Sequence, residues 1–288
     1  MIASSPLKNN YILMKRIVAF LILSSLFACQ SEQKKQVTED TLSYQKDSLN
    51  LELDTLAFHY DSLKAYSKNL VSANKGVKDT TMASIVYPVF NNQQVDDLVK
   101  GNALKANNPD ETSYKSYEDL ASRFIRQYDD FQKEGLGYTA AWFKEVHITV
   151  LPQRKDYLGL KYFYVDYAGG AHPNSAIIYK NYNATTLQEI KLADLIPLAN
   201  QPKLREVAEK IFRANEKLDA KQNLDNGYFF DKGVFTLNDN FTITDQGLKF
   251  LYNTYEIKPY SEGTTELLIP YTAIKELLIA NPALPVIK

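Results

Sequence analysis

Few residues in this sequence have the types and spacing that chemistry needs. There are three histidines, His59, His147 and His172, and a single cysteine, Cys29. His147 lies two residues from Glu145, so on a strand both side chains face one side. That spacing can serve zinc, but a third ligand would have to come from far along the chain and no H-E-x-x-H pattern occurs. No metal and no cofactor are expected. There is no G-x-S-x-G and no S-x-x-K with its companion motifs, so no catalytic residue is assigned. The acidic pairs Glu118-Asp119 and Asp129-Asp130 fall on the polar side of a helical pattern, and nothing singles out two carboxylates for glycoside cleavage. His172 stands in Tyr167-Ala168-Gly169-Gly170-Ala171-His172-Pro173-Asn174. Gly169 and Gly170 suit a turn with positive φ, and Pro173 stiffens its exit. His172 is expected to bond within this turn and fix the register of the flanking strands, with a direct role in a site as the alternative. The run Tyr162-Phe163-Tyr164, with Tyr167, reads as a sugar-stacking platform or as a strand with one face in the core.

These residues need elements to hold them. Residues 56–65 and 82–90 read as strands, rich in β-formers between polar turns. Residues 91–104 hold one weak helical set, Val95, Leu98 and Leu104. Residues 114–133 form the clearest helix, with Tyr117, Leu120, Ala121, Phe124, Ile125, Tyr128 and Phe131 on one stripe. Three strands follow: the alternating segment around Val146, Ile148 and Val150, then 157–167, then 175–182. A second helix is expected over 202–218. Asp245-Gln246-Gly247 joins two strands as a hairpin, and a strand at 266–270 leads into a short helix over 271–278. Strands in runs, broken by a few helices, mean an α+β fold with a mostly antiparallel sheet. The expected division is two intimate halves, 53–155 and 156–288.

Before them, Lys15 and Arg16 precede the apolar run 17–28, which has the length of a signal-peptide core and is too short to span a membrane. The run ends in Leu26-Phe27-Ala28-Cys29, which resembles the bacterial lipobox. Residues 1–28 are therefore expected to be a signal peptide, starting in effect at Met14. Cys29 is expected to carry the lipid that holds the chain to a membrane. Gln30 at the next position favours the outer membrane, on its periplasmic or its surface side. Residues 29–52 read as a lipidated flexible tether. Along and beyond it an Asp-Ser/Thr-Leu triplet recurs every seven residues, at Asp40, Asp47, Asp54 and Asp61. It resembles an exported-protein O-glycosylation site as much as a poor heptad. Asp79-Thr80-Thr81 fits the glycosylation pattern too.

Removing residues 1–28, which hold Lys8, Lys15 and Arg16 and no acid, leaves 260 residues and takes the net charge from −1 to −4. A mildly acidic chain of this kind is not expected to bind nucleic acid. With 45% hydrophobic residues and 20 tyrosines it can bury a core without disulfides.

The "GGAHPN" segment resembles the signature of a family of exported domains. That family includes the lysozyme-binding ectodomain of the anti-sigma factor RsiV and the non-catalytic part of the peptidoglycan deacetylase PdaC. Other matching stretches are Asn181-Tyr182-Asn183, 192–196, Asn240-Phe241, 247–250, the run from Tyr255 to Tyr260, and Ile269-Pro270-Tyr271. The N-terminal half resembles the companion region more loosely, chiefly through residues 86–90. The resemblance implies an α+β domain outside the cytoplasm, with no established chemistry of its own. It makes Gly169, Gly170, His172, Pro173, Asn174 and Tyr255 the candidate binding or signature residues, and a lysozyme-like protein or peptidoglycan the candidate partner. Sigma-factor signalling and deacetylation are not expected. The expected function is thus a non-enzymatic envelope lipoprotein. The alternatives are a cell-wall hydrolase or deacetylase with an unrecognised site, and a purely structural lipoprotein.

Overall fold

The structure is a computed structural model that describes residues 55–73, 77–105, 112–135 and 140–287. The expected signal segment, Cys29, the whole of the tether and the first two heptad triplets lie outside these residues. Within the described residues no helix is long and apolar enough to cross a membrane.

The first half builds on a long antiparallel pair, β1 (Phe58–Ala73) and β2 (Val77–Phe90). β1 runs well past the expected end at 65, because Ser67–Asn69 form a bulge instead of a stop. The register jumps between Tyr66 and Leu70, and the bulge is tied down by Asp129, which accepts from the Ser67 hydroxyl and the Asn69 amide. Two helices follow, α1 (Gln93–Ala103) and α2 (Tyr117–Lys133). Asn92 caps α1 by accepting from the Gln94 N–H at 3.0 Å, and Ser116 caps α2 by accepting from the Asp119 N–H at 3.2 Å. The stripe expected on α2 is the buried one, from Tyr117 through Tyr128.

Then come β3 (Phe143–Val150), β4 (Leu158–Tyr167) and β5 (Asn174–Tyr182). The five strands form one sheet in the order β1-β2-β3-β4-β5. All pairs are antiparallel except β2 with β3, which run parallel from Met82/Phe143 to Val86/His147. That pairing stops just before Pro88, which has no N–H to offer. Beyond it the Val150 N–H is taken by the Tyr60 hydroxyl at 3.1 Å.

The expected division at 155/156 falls inside this sheet. β3 and β4 pair across it from Phe143/Tyr167 to Val150/Leu160, so β4 and β5 pack with the first half. The reason is the antiparallel ladder itself, which needs only the short connection 151–157. The first core lies between α1, α2 and one face of the sheet, around Ile85, Phe124, Trp142, Ile148 and Tyr162.

The second core lies between α3 (Gln201–Asn215) and a three-stranded antiparallel sheet of β6 (Phe241–Ile243), β7 (Gly247–Tyr252) and β8 (Thr265–Pro270). Residues 245–247 turn β6 into β7 as the sequence predicts. α3 ends with Lys217 at φ 56 and paired bonds from Lys217 N–H to Ala214 O and from Leu218 N–H to Arg213 O. This is a Schellman close with lysine in the place glycine usually takes. α4 (Tyr271–Ile274) finishes the packing against β8.

Tyr157 joins the two cores. It is fully buried, and its hydroxyl meets Asn181 Oδ1 at 2.7 Å, Thr242 Oγ1 at 3.0 Å and the Ile243 N–H at 3.3 Å. A Cβ at Gly159 would stand 2.5 Å from that hydroxyl, so only glycine fits there. Arg154 lies over the Tyr157 ring and reaches Asp245 at 3.0 Å and the Ala283 carbonyl at 3.2 Å.

Candidate functional site

Two regions gather the residues with any claim to function. The first is the seam along the outer edge of β5. An edge strand presents unpaired N–H and C=O groups, and here asparagine side chains from the second half satisfy them. The Ile177 N–H donates to Asn253 Oδ1 at 2.6 Å, and the Tyr179 N–H to Asn240 Oδ1 at 2.8 Å. The Ile177 carbonyl accepts from the amides of Asn240 at 2.8 Å and Asn253 at 3.0 Å. Asn181 completes the row by donating to the Phe241 carbonyl at 2.8 Å.

At one end of this seam sits the turn that the sequence singled out. Gly169 and Gly170 have φ 97 and 107, as their positions require, and the Tyr167 hydroxyl closes onto the Gly170 carbonyl at 3.0 Å. Pro173 is half-buried, and Asn174 is exposed at the start of β5. His172 bonds within the turn, Nδ1 to the Pro173 carbonyl at 3.2 Å, but its larger contacts are elsewhere. Nε2 meets the Tyr255 hydroxyl at 2.8 Å, and the ring stacks on Tyr260 with centroids 3.8 Å apart at 15°. A proton on Nδ1 satisfies both bonds, with the imidazole donating to Pro173 and accepting from Tyr255. Tyr255 is exposed and held at φ 68, an uncommon backbone state for a bulky residue. It is fixed there by the bonds between Asn253 and Glu256. The turn, His172 and Tyr255 therefore come together as a brace between the halves. Among the described residues no carboxylate bonds to His172 or to the Tyr255 hydroxyl.

The second region is the face of the five-stranded sheet turned away from α1 and α2. The strand register lays its side chains in rows. One row is Tyr66, Met82, Phe143 and Tyr167; the next is Lys64, Ser84, Glu145, Val165 and Ser175; the third is Ser62, Val86, His147, Phe163 and Ile177. None of their apolar members belongs to either core. All but Ser84 are half-buried or exposed, Tyr66 at 54%. Their exposure leaves these three rows open to solvent among the described residues. At a fourth, Thr149, Lys161 and Tyr179, the second half approaches, with the Lys249 ammonium 5.7 Å over the Tyr179 ring. Phe143 and Tyr167 stack with centroids 6.0 Å apart, and His147 Nε2 stands 3.5 Å from Glu145. The expected aromatic run thus splits between the faces. Tyr162 and Tyr164 point to the helices, where burial pushes the Tyr164 phenol up to about 12, and Phe163 and Tyr167 point outward.

A cleft of about 670 Å³ also follows the seam, but its Lys180 and Glu189 already pair at 2.6 Å. Among the described residues no group of three His, Cys, Asp or Glu side chains could hold a metal ion.

Two stretches of the chain match known families, one ending within β5 and the other holding Asn240, Asn253 and Tyr255. Residues 74–175 match a family described as deacetylase PdaC, and residues 193–272 match a protein family of unknown function, DUF3298. One stretch of the chain is thus similar to a PdaC domain and a later one to a DUF3298 domain. The β2, β3 and β4 members of the uncovered face lie in the first matched stretch, its β1 members Ser62, Lys64 and Tyr66 precede it, and the asparagines and tyrosines that brace β5 lie in the second. A DUF3298 family member from Bacteroides fragilis NCTC 9343 is similar at 22% identity, with 79% of this chain and 96% of that one covered and a TM-score of 0.58. A DUF3298 family protein from Pseudomonas aeruginosa PAO1 is similar at 18% identity, 80% and 97% coverage and a TM-score of 0.62. Both share the fold. No curated protein matches the chain. The two domains suggest a cell-envelope related protein.

Proposed function

We propose that this chain is a non-enzymatic envelope lipoprotein, held at the outer membrane through lipid on Cys29, whose folded part binds peptidoglycan or a lysozyme-like muramidase. The observation that carries the reading is the uncovered sheet face. A sheet that packs helices on one side usually turns polar residues to water on the other. Here two rows instead hold Tyr66, Met82, Phe143 and Tyr167, and Val86, Phe163 and Ile177, on either side of a largely polar one, and exposed apolar patches rimmed by polar residues mark interaction sites. The lipobox-like ending at Cys29 supports the anchor, and the two matching domains support the envelope setting. Mixing the purified full chain with washed sacculi and, separately, with lysozymes tests it. Retention by at least one is expected, and retention by neither overturns the reading.

A further inference from the structure

We infer that the uncovered sheet face takes an extended, linear glycan strand lying across the β-strands; this rests on the binding reading above and says which of its partners the face fits. The rows decide it. Two rows with apolar and aromatic members are separated by a polar one, in which Lys64, Ser84, Glu145 and Ser175 are interrupted only by Val165. Rows on one face repeat every second residue, about 6.7 Å apart, and neighbouring strands are about 4.8 Å apart, so a row across four strands is about 14 Å long. A protein partner covering both apolar rows would have to bury Lys64 and Glu145 between them, where charged groups are depleted in interfaces. The Glu145 side chain is 36% exposed and that of its neighbour His147 44% exposed, so both keep water contact.

A sugar ring has the complementary pattern. Its C–H face is apolar and packs on rings such as Tyr66, Phe143 and Phe163. Its hydroxyls project at the rim, where Lys64, Glu145, Ser62 and Ser175 offer donors and acceptors. A linear strand repeats this pattern ring after ring, matching rows that repeat strand after strand. No bond is made or broken, and the face works by stacking and hydrogen bonding alone.

The test uses the full chain with purified sacculi, with chitohexaose as a defined linear glycan, and with lysozyme. The variant Tyr66→Ser/Phe163→Ser removes rings from both apolar rows, and Tyr66→Ser alone touches only an exposed side chain and keeps the test valid should the double variant unfold. Wild type should bind sacculi and chitohexaose. The double variant should lose at least about tenfold in affinity, the worth of one aromatic contact, and the single variant a smaller but measurable part. Glycan binding that survives in Tyr66→Ser and in the folded double variant overturns the assignment of the face and leaves the envelope reading standing. Lysozyme binding that the variants lose, with no glycan bound by wild type, also overturns it, because the face would then fit a protein. Binding of none of the three removes the parent reading and this inference together.

Discussion

The five-stranded sheet has two edges, and they are treated in opposite ways. At β5 the edge is closed by the amides of Asn240 and Asn253, which supply donors and acceptors where a sixth strand would. At β1 the edge has no strand partner among the described residues. It is protected by the bulge at Ser67–Asn69 and by exposed Lys64 and Lys68, which discourage pairing with another chain. Closing an edge with side chains demands particular residues at fixed places, because the group must both accept from an N–H and donate to a C=O, as the amides of Asn240 and Asn253 do. Defending an edge with charge demands very little. The residues that form a recognisable spaced signature therefore trace the closed seam, and the surface best suited to a ligand leaves no such trace.

The comparison can be broken most severely at Asn240. Replacing it with leucine strands the Tyr179 N–H and weakens the acceptors at Ile177 and Leu251. Each unsatisfied buried group costs about 1–3 kcal/mol. At about 2–4 °C per kcal/mol for a chain of this size, melting should fall on the order of 10 °C. A calorimetric drop below about 2 °C would mean that the seam does not hold the halves. His172→Ala removes two partly exposed hydrogen bonds, about 0.5 kcal/mol each, and one ring stack of about 1 kcal/mol, roughly 2 kcal/mol in sum. Melting should fall by about 4–8 °C, and His172→Phe should recover part of it by restoring the stack. Equal losses in the two variants would show that the stack contributes nothing. The smallest effect is expected at the open edge. Lys64→Ala/Lys68→Ala should leave stability within about 0.5 kcal/mol, as surface changes generally do, yet promote self-association at high concentration. Sedimentation that stays monomeric would show that the bulge suffices by itself.

How much of this was legible in the sequence depended on whether the signal was local. α2 and α3 carry their stripes within themselves, and the β6–β7 turn is written in three adjacent residues, so these were readable. The parallel pairing of β2 with β3 has no local signature. The bulge at Ser67–Asn69 looks like a strand end until Asp129, about sixty residues on, is known to hold it. The turn around His172 is written in its neighbouring glycines and proline, but Tyr255 lies 83 residues away and no local pattern signals its contact. The uncovered face was hidden for a different reason. β4 is apolar on both sides, Leu160, Tyr162 and Tyr164 against Phe163, Val165 and Tyr167, so alternation could not say which set is inside. Only the register with Glu145 and His147 in β3 shows it.

The buried hydroxyl of Tyr157 has a consequence for the order of events in folding. It precedes β4 in the chain, but its partners Thr242 and Ile243 are made more than eighty residues later. Arg154, stacked on the same ring, waits for Ala283, almost the last residue described. A chain that emerges N-terminus first thus cannot lock its first sheet while the rest is still being delivered. The junction makes final consolidation a late, long-range and therefore slow event, and it couples the two cores so that neither is complete before the other.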